Sequence, residues 1–257
     1  MTYKDEILVL RSFDCKEYDR LYEVFSKNFG KKTIIAKGVR KPKAKLAGGL
    51  EPITASEVFL VEGRGFDRVA GVIIQEQFSE TKKNLDKLIE AKKFFNILNK
   101  SLADKALDNE INQKIYKGVF YYLKCLEEEG LIEVSNFQIK LAILWKLIYW
   151  LGYQPGIFRC FNCGKPLAEE EEYSFFIPYG ISCSCFNKGN RADYSIQERQ
   201  NFQKTVISKS ALNFLKSSLI NSTKTVSKIS LSVKSSKEVE KIIKLTLEYN
   251  LEKRIDI

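Results

Sequence analysis

The sequence predicts an α+β, multidomain fold class: an N-terminal β-barrel over residues 1–80, then an α-helical domain over 81–257 with a four-cysteine zinc ribbon inserted at about 157–194. Three observations predict it. Short runs rich in Ile, Val and Phe, punctuated by glycines, fill the first 80 residues. Apolar residues recur at helical spacing after Gln77. Four cysteines stand in two close pairs, Cys160/Cys163 and Cys183/Cys185.

The barrel strands are expected at 6–13, 32–37, 57–62 and 68–77, with Gly30, Gly38, Gly63, Gly65 and Gly71 between or within them. Residues 19–25 fit a strand or a helix, and periodicity does not separate the two. Four or five short strands in so few residues is the size of a small barrel such as an OB-fold. Beyond Gln77, Leu85, Leu88, Ile89, Phe95, Leu98 and Leu102 mark one helix, and Ile111, Ile115, Val119, Tyr122, Leu123 and Leu126 a second, with Gly130 as its stop. A third, 137–151, is apolar almost all round despite Gln138, Lys140 and Lys146, and belongs at the centre of a helical bundle; Gly152 and Pro155 end it. Past the ribbon, Leu212, Leu215 and Leu219 predict a helix. Ile229, Leu231 and Val233 alternate as in a strand, and Val239, Ile242, Ile243, Leu245, Leu247 and Leu251 predict a last helix, with Lys253 and Arg254 near its end complementing the dipole. All these stripes read as core. Cys15 and Cys125 are isolated thiols, Cys125 packed on its helix.

Two residues between Cys160 and Cys163 let both sulfurs of one turn point at one ion, and Gly164 suits the tight backbone of such a turn. Nineteen residues separate Cys163 from Cys183, enough for a small ribbon whose second pair, Cys-x-Cys, closes the site. Four thiolates without imidazole favour one Zn2+, with iron as the alternative. A disulfide or unconnected buried thiols are the bland readings. A closed four-thiolate site leaves no position for substrate, so its role is structural. The aromatic run at 173–176 is expected as a hairpin strand between the cysteine turns.

The chain has no histidine, which removes Ser-His-Asp and Cys-His catalysis and HExxH chemistry. No GxxxxGK[ST] loop is present, and Gly63-Arg64-Gly65 fails as a dinucleotide fingerprint because Arg68 takes the third glycine position. Residues 1–10 do not resemble a signal peptide, and the longest apolar stretch, 137–151, is shorter than a bilayer span. The expected location is therefore cytoplasmic, where thiols stay reduced and available to metal.

The net charge of +10 is unevenly spread. Residues 24–50 contain no acid but carry Lys27, Lys31, Lys32, Lys37, Arg40, Lys41, Lys43 and Lys45; a second acid-free stretch, 199–237, is also basic. Such blocks are the footprint of a polyanion, set against the simpler reading of a solvated face. Lys31, Lys32, Lys37, Arg40, Lys41, Lys43 and Lys45 are the candidate nucleic-acid contacts, on a strand and the loop after it. Phe13, Tyr18, Tyr22, Phe25 and Phe29 are candidate stacking residues, although small barrels bury most aromatics.

Several stretches, in this order along the chain, resemble the bacterial DNA repair protein RecO family. They are Ile7-Leu8-Val9-Leu10 with Glu17-Tyr18-Asp19-Arg20-Leu21, and Phe29-Gly30-Lys31 with Ile35-Ala36-Lys37-Gly38-Val39-Arg40. Lys45-Leu46-Ala47 with Leu50-Glu51-Pro52 follows, then Leu151-Gly152-Tyr153-Gln154-Pro155 leading into Cys160-Phe161-Asn162-Cys163-Gly164, and finally Tyr249-Asn250-Leu251-Glu252-Lys253-Arg254. Asn250 sits where a histidine is common in that family, and the Cys-x-Cys pair departs from its pattern. The resemblance implies a recombination mediator with an OB-fold and no catalytic residue. Such a protein binds single- and double-stranded DNA, anneals complementary strands, and acts with RecR to replace single-strand-binding protein (SSB) by RecA at the nucleoid, recognising the SSB tail. No membrane is implied. The competing readings are a zinc-ribbon RNA- or ribosome-associated adaptor using the same groove, and a nuclease, which would need clustered metal-binding carboxylates.

Overall fold

A computed structural model of the chain describes residues 1–102, 107–128, 133–153, 155–183, 185 and 203–257. They form two compact units, Met1–Leu131 and Ile132–Ile257. The barrel strands end at Glu76, and the first unit continues beyond them through three helices.

Five strands make the barrel: β1 (Thr2–Asp14), β2 (Arg20–Ser26), β3 (Gly30–Ala36), β4 (Ala55–Val61) and β5 (Asp67–Glu76). Their order, β1-β2-β3-β5-β4, closes on itself because β4 returns to β1. β1 is long enough to serve two neighbours. Its first half pairs with β4 from Thr2 to Leu8 and its second with β2 from Ile7 to Asp14, and a register shift between Val9 and Arg11 turns the corner. The last seam is a short parallel pairing of β3 with β5 at Ile34 and Ile35. The interior is filled by Ile7, Val9, Tyr22, Val24, Ile34, Ala36, Leu50, Val58, Leu60 and Val69. Each buried aliphatic side chain contributes about 1.5–3 kcal/mol. The barrel interior is thus a packed core and not a channel. The ambiguous segment 19–25 is β2, its inward residues alternating Tyr22, Val24 as a strand requires.

Helices α1 (Ser79–Lys83), α2 (Leu85–Ser101) and α3 (Asn109–Glu127) complete the first unit. Asn84 caps α2 by accepting from the amides of Asp86 and Lys87 at 3.0 and 3.1 Å. The expected stop at Gly130 lies outside the described residues.

In the second unit, α4 (Glu133–Trp150) is surrounded by α5 (Lys209–Ile220), α6 (Thr223–Val226) and α7 (Val233–Leu251). Leu141, Leu144, Trp145, Leu147 and Ile148 are all buried, as an all-round apolar helix demands. Its polar interruptions are buried too. Lys146 Nζ donates to Asn221 O at 2.7 Å at the end of α5, and Lys140 Nζ lies 4.9 Å from the Phe137 ring centroid.

Two expectations need correction. Ile229, Leu231 and Val233 do not form a strand: residues 229–232 belong to neither helix nor strand, and Val233 begins α7. In the amide orientation that satisfies both its ends, buried Gln138 donates to Ile229 O at 2.6 Å and accepts from Leu231 N at 3.0 Å, standing in for a neighbouring strand. Lys253 and Arg254 fall beyond α7, which stops at Leu251 with Glu252 in the left-handed region, so no basic residue occupies its last turn.

Candidate metal centre and basic barrel surface

The ribbon is built on a three-stranded sheet, β7-β6-β8, with β6 (Glu172–Ile177) central between β7 (Gly180–Ser182) and β8 (Gln203–Ser208). The first cysteine turn is closed by the antiparallel bridge Arg159↔Pro166 and by Gly164 N donating to Cys160 O at 2.9 Å, with Gly164 at φ +70°. It docks on the hairpin where Phe161 N donates to Ile181 O at 2.9 Å. Gly180, at φ +112°, lets the backbone of Gly156 approach so closely that a Cβ would lie 2.1 Å from Gly156 O. The second pair follows directly from the end of β7.

The four sulfurs of Cys160, Cys163, Cys183 and Cys185 lie within 4.8 Å of one another. Cys160 and Cys185 are 3.5 Å apart and Cys163 and Cys183 3.7 Å. A tetrahedral four-thiolate site with metal–sulfur bonds of about 2.3 Å requires sulfur separations of about 3.8 Å, so the cluster has the dimensions of a metal site. None of the cysteines is disulfide-bonded. Donors converge on the sulfurs: Cys183 N on Cys160 Sγ at 3.3 Å and Asn162 Nδ2 on Cys185 Sγ at 3.2 Å. Burial raises the Cys160 thiol, but the amides of Cys183, Cys163 and Asn162 and the Ser182 hydroxyl outweigh it and lower its pKa. Cys183 is pushed up by its hydrogen bonds with Cys185 and its other cysteine neighbours. The Cys160 thiolate is favoured and that of Cys183 is resisted until a cation compensates it. The Cys-x-Cys spacing places both remaining thiols in the cluster.

The predicted basic residues divide by position. Lys31 and Lys32 are on β3 and partly covered; Lys31 Nζ donates to Asn99 O at 3.3 Å. Lys32 is held inside a cluster, donating to Asp67 Oδ2 at 2.6 Å and to the Tyr3 hydroxyl at 2.7 Å, while Tyr3 donates to Asp67 at 2.5 Å. Burial disfavours the Lys32 ammonium, yet Asp67 and Tyr3 more than offset it, so its pKa is raised. Lys37, Lys41, Lys43 and Lys45 are exposed on the segment after β3, and Lys41 Nζ lies 5.6 Å from the Tyr18 ring. Arg40 pairs with Asp14 at 3.3 Å. Of the candidate stacking residues, Tyr22 and Phe25 are core, whereas Phe13, Tyr18 and Phe29 are exposed by 43, 43 and 55%. Tyr3, Asp14 and Asp67 carry no local signal that links them to the basic residues, which they meet only through the folding of the barrel.

A family model described as Recombination protein O N terminal matches residues 1–78, and one described as Recombination protein O C terminal matches 100–256. The chain belongs to the RecO family. It is 31% identical over 179 residues to the DNA repair protein RecO of Desulforamulus reducens, covering 69% of this chain and 66% of that protein. Identity to the DNA repair protein RecO of Acetivibrio thermocellus is 27% over 191 residues, covering 74% and 73% of the two. For the RecO of Desulfitobacterium hafniense it is 30% over 168 residues, covering 65% and 58%. The RecO N-terminal match ends within two residues of the last barrel strand, and the C-terminal match contains the whole cysteine cluster. Among the described residues, no helix is long and apolar enough to cross a membrane.

Proposed function

We propose that this RecO-family chain is a recombination mediator in bacterial DNA repair. It binds single- and double-stranded DNA through the barrel, anneals complementary strands, and with RecR helps RecA replace SSB, whose acidic tail it recognises. It works in the cytoplasm as a binding and strand-pairing protein, with no catalytic residue. The observation that carries this reading is a closed five-stranded barrel whose acid-free segment 37–45 presents Lys37, Lys41, Lys43 and Lys45 to solvent, in a chain matched by both RecO family models. A row of cations tracks a phosphate backbone without reading bases, as strand annealing requires. Exposed Tyr18 beneath Lys41 and exposed Phe13 offer base-stacking faces at the same end of the barrel. The four-cysteine cluster holds one structural Zn2+, which keeps the ribbon turns together and takes no part in DNA chemistry.

Annealing of complementary strands, naked and coated with cognate SSB, tests the reading. A mediator speeds pairing of both. Acceleration of naked strands alone leaves a nucleic-acid adaptor, and comparison with RNA of equal length then decides which polymer it serves.

A further inference from the structure

Resting on the basic-surface reading, we infer that Arg20 and Arg40 form a backbone-phosphate site of the barrel and that Asp14 occupies it in the free protein, acting as an internal competitor of nucleic acid. Asp14 ends β1, and its carboxylate is shared by two guanidiniums: Arg20 Nε donates to Oδ1 at 2.6 Å and Arg40 Nη1 lies 3.3 Å from Oδ2. A carboxylate and a phosphate offer the same pair of oxygens to such forks, so a group that satisfies both arginines marks where a phosphate fits.

The backbones that carry the arginines are fixed independently of Asp14. Arg20 opens β2 in register with Ala36 of β3. The turn carrying Arg40 is tied to the β1–β2 connection by Arg40 N donating to Tyr18 O at 3.1 Å and Gly38 N to Asp19 Oδ1 at 2.8 Å. Both arginines line a cavity of about 290 Å³ together with buried Tyr22 and Leu50 and with Glu51, whose carboxylate pairs with Lys82 at 3.6 Å. Removing the Asp14 charge takes away the carboxylate that both guanidiniums contact while their backbones stay in place, with Glu51 as the acid left on the same cavity. Asp14 itself is half exposed, with 49% of its side chain open to solvent, so a strand can reach and displace it. Contact at this point exchanges one anion for another, which holds down affinity and lets the protein leave a strand once it is paired.

The test is binding of oligothymidine by the full chain as a function of salt, for the unmodified protein, Asp14→Asn, Asp14→Asn with Arg40→Ala, and Glu110→Gln as a control for net charge at an exposed position of α3. The site predicts that Asp14→Asn binds about three- to tenfold tighter with a log–log salt slope steeper by about 0.7–1.4, one or two further phosphates being neutralised. Arg40→Ala in that background must remove most of the gain, and Glu110→Gln must stay within about twofold of the unmodified protein, as a distant screened charge does. Equal or weaker binding by folded Asp14→Asn overturns the proposal, as does an equal gain from Glu110→Gln. Should Asp14→Asn fail to fold, side-chain NMR of the unmodified protein decides: oligothymidine must shift the Arg20 and Arg40 Nε–Hε signals, and movement of lysine signals alone overturns the site. Salt-independent binding by the unmodified protein defeats the basic-surface reading as well, whereas salt-dependent binding without the Asp14 effect defeats only this one.

Discussion

Cys160 is 1% exposed, and its sulfur is the one on which backbone, hydroxyl and partner thiols all converge. Replacing it removes one of the four clustered thiols and leaves a turn that has lost its anchor. Cys160→Ser is expected to abolish retention of about one equivalent of metal and to lower the thermal midpoint by about 10 °C, because a structural metal's binding energy is folding energy. Metal analysis with calorimetry checks this; full metal content in the variant would show that three cysteines suffice. The cysteine cluster was legible residue by residue, since two short spacings bring sulfurs together wherever a tight turn forms. The donors around them were not. Asn162 is an ordinary turn residue until the fold sets Cys185 3.2 Å from its amide.

Between elements, Glu127 at the end of α3 illustrates a bond no periodicity reveals. Its carboxylate accepts from the amides of Glu80 and Thr81 and from the Thr81 hydroxyl, each at 2.9 Å, closing the start of α1. Burial raises the Glu127 pKa, but these donors outweigh it and lower it overall. A carboxyl depressed in the folded state contributes stability above its unfolded value of about 4.3, and loses it as pH falls through the folded value. Glu127→Ala should therefore cost about 1–2 kcal/mol at pH 7, and the gap from the unmodified protein should narrow below about pH 4. Urea titrations at the two pH values measure it, and a gap independent of pH would assign the loss to packing. The strand β8 was missed for a related reason. Gln203–Ser208 has only Thr205 and Ile207 on its inner face, too short an alternation to register until β6 supplies the partner.

For the whole molecule, the charge of +10 becomes a rate and affinity device only where cations are presented together. If about five phosphates are neutralised, log K against log salt should fall with a slope of about −3.5 on single strands. Replacing Lys37, Lys41 and Lys43 together by alanine should flatten that slope by about 2 while the circular dichroism spectrum is kept, since all three are exposed. An unchanged slope would move the binding surface elsewhere, the basic stretch 199–237 being the next place to look.

Fold class, the order of barrel, helices and ribbon, the clustering of the four cysteines, and the family were all legible along the chain, because each depends on local spacing: alternation along a strand, stripes along a helix, sulfurs across a turn. Tertiary structure decided which cations are available. Lys32 and Asp67 are 35 residues apart and meet only where β3 and β5 close the barrel. Asp14, Arg20 and Arg40 meet only where the β1–β2 connection is tied to the turn after β3. A charge counts toward a partner only after its neighbours have been satisfied, and those neighbours are chosen by register, which no single segment contains.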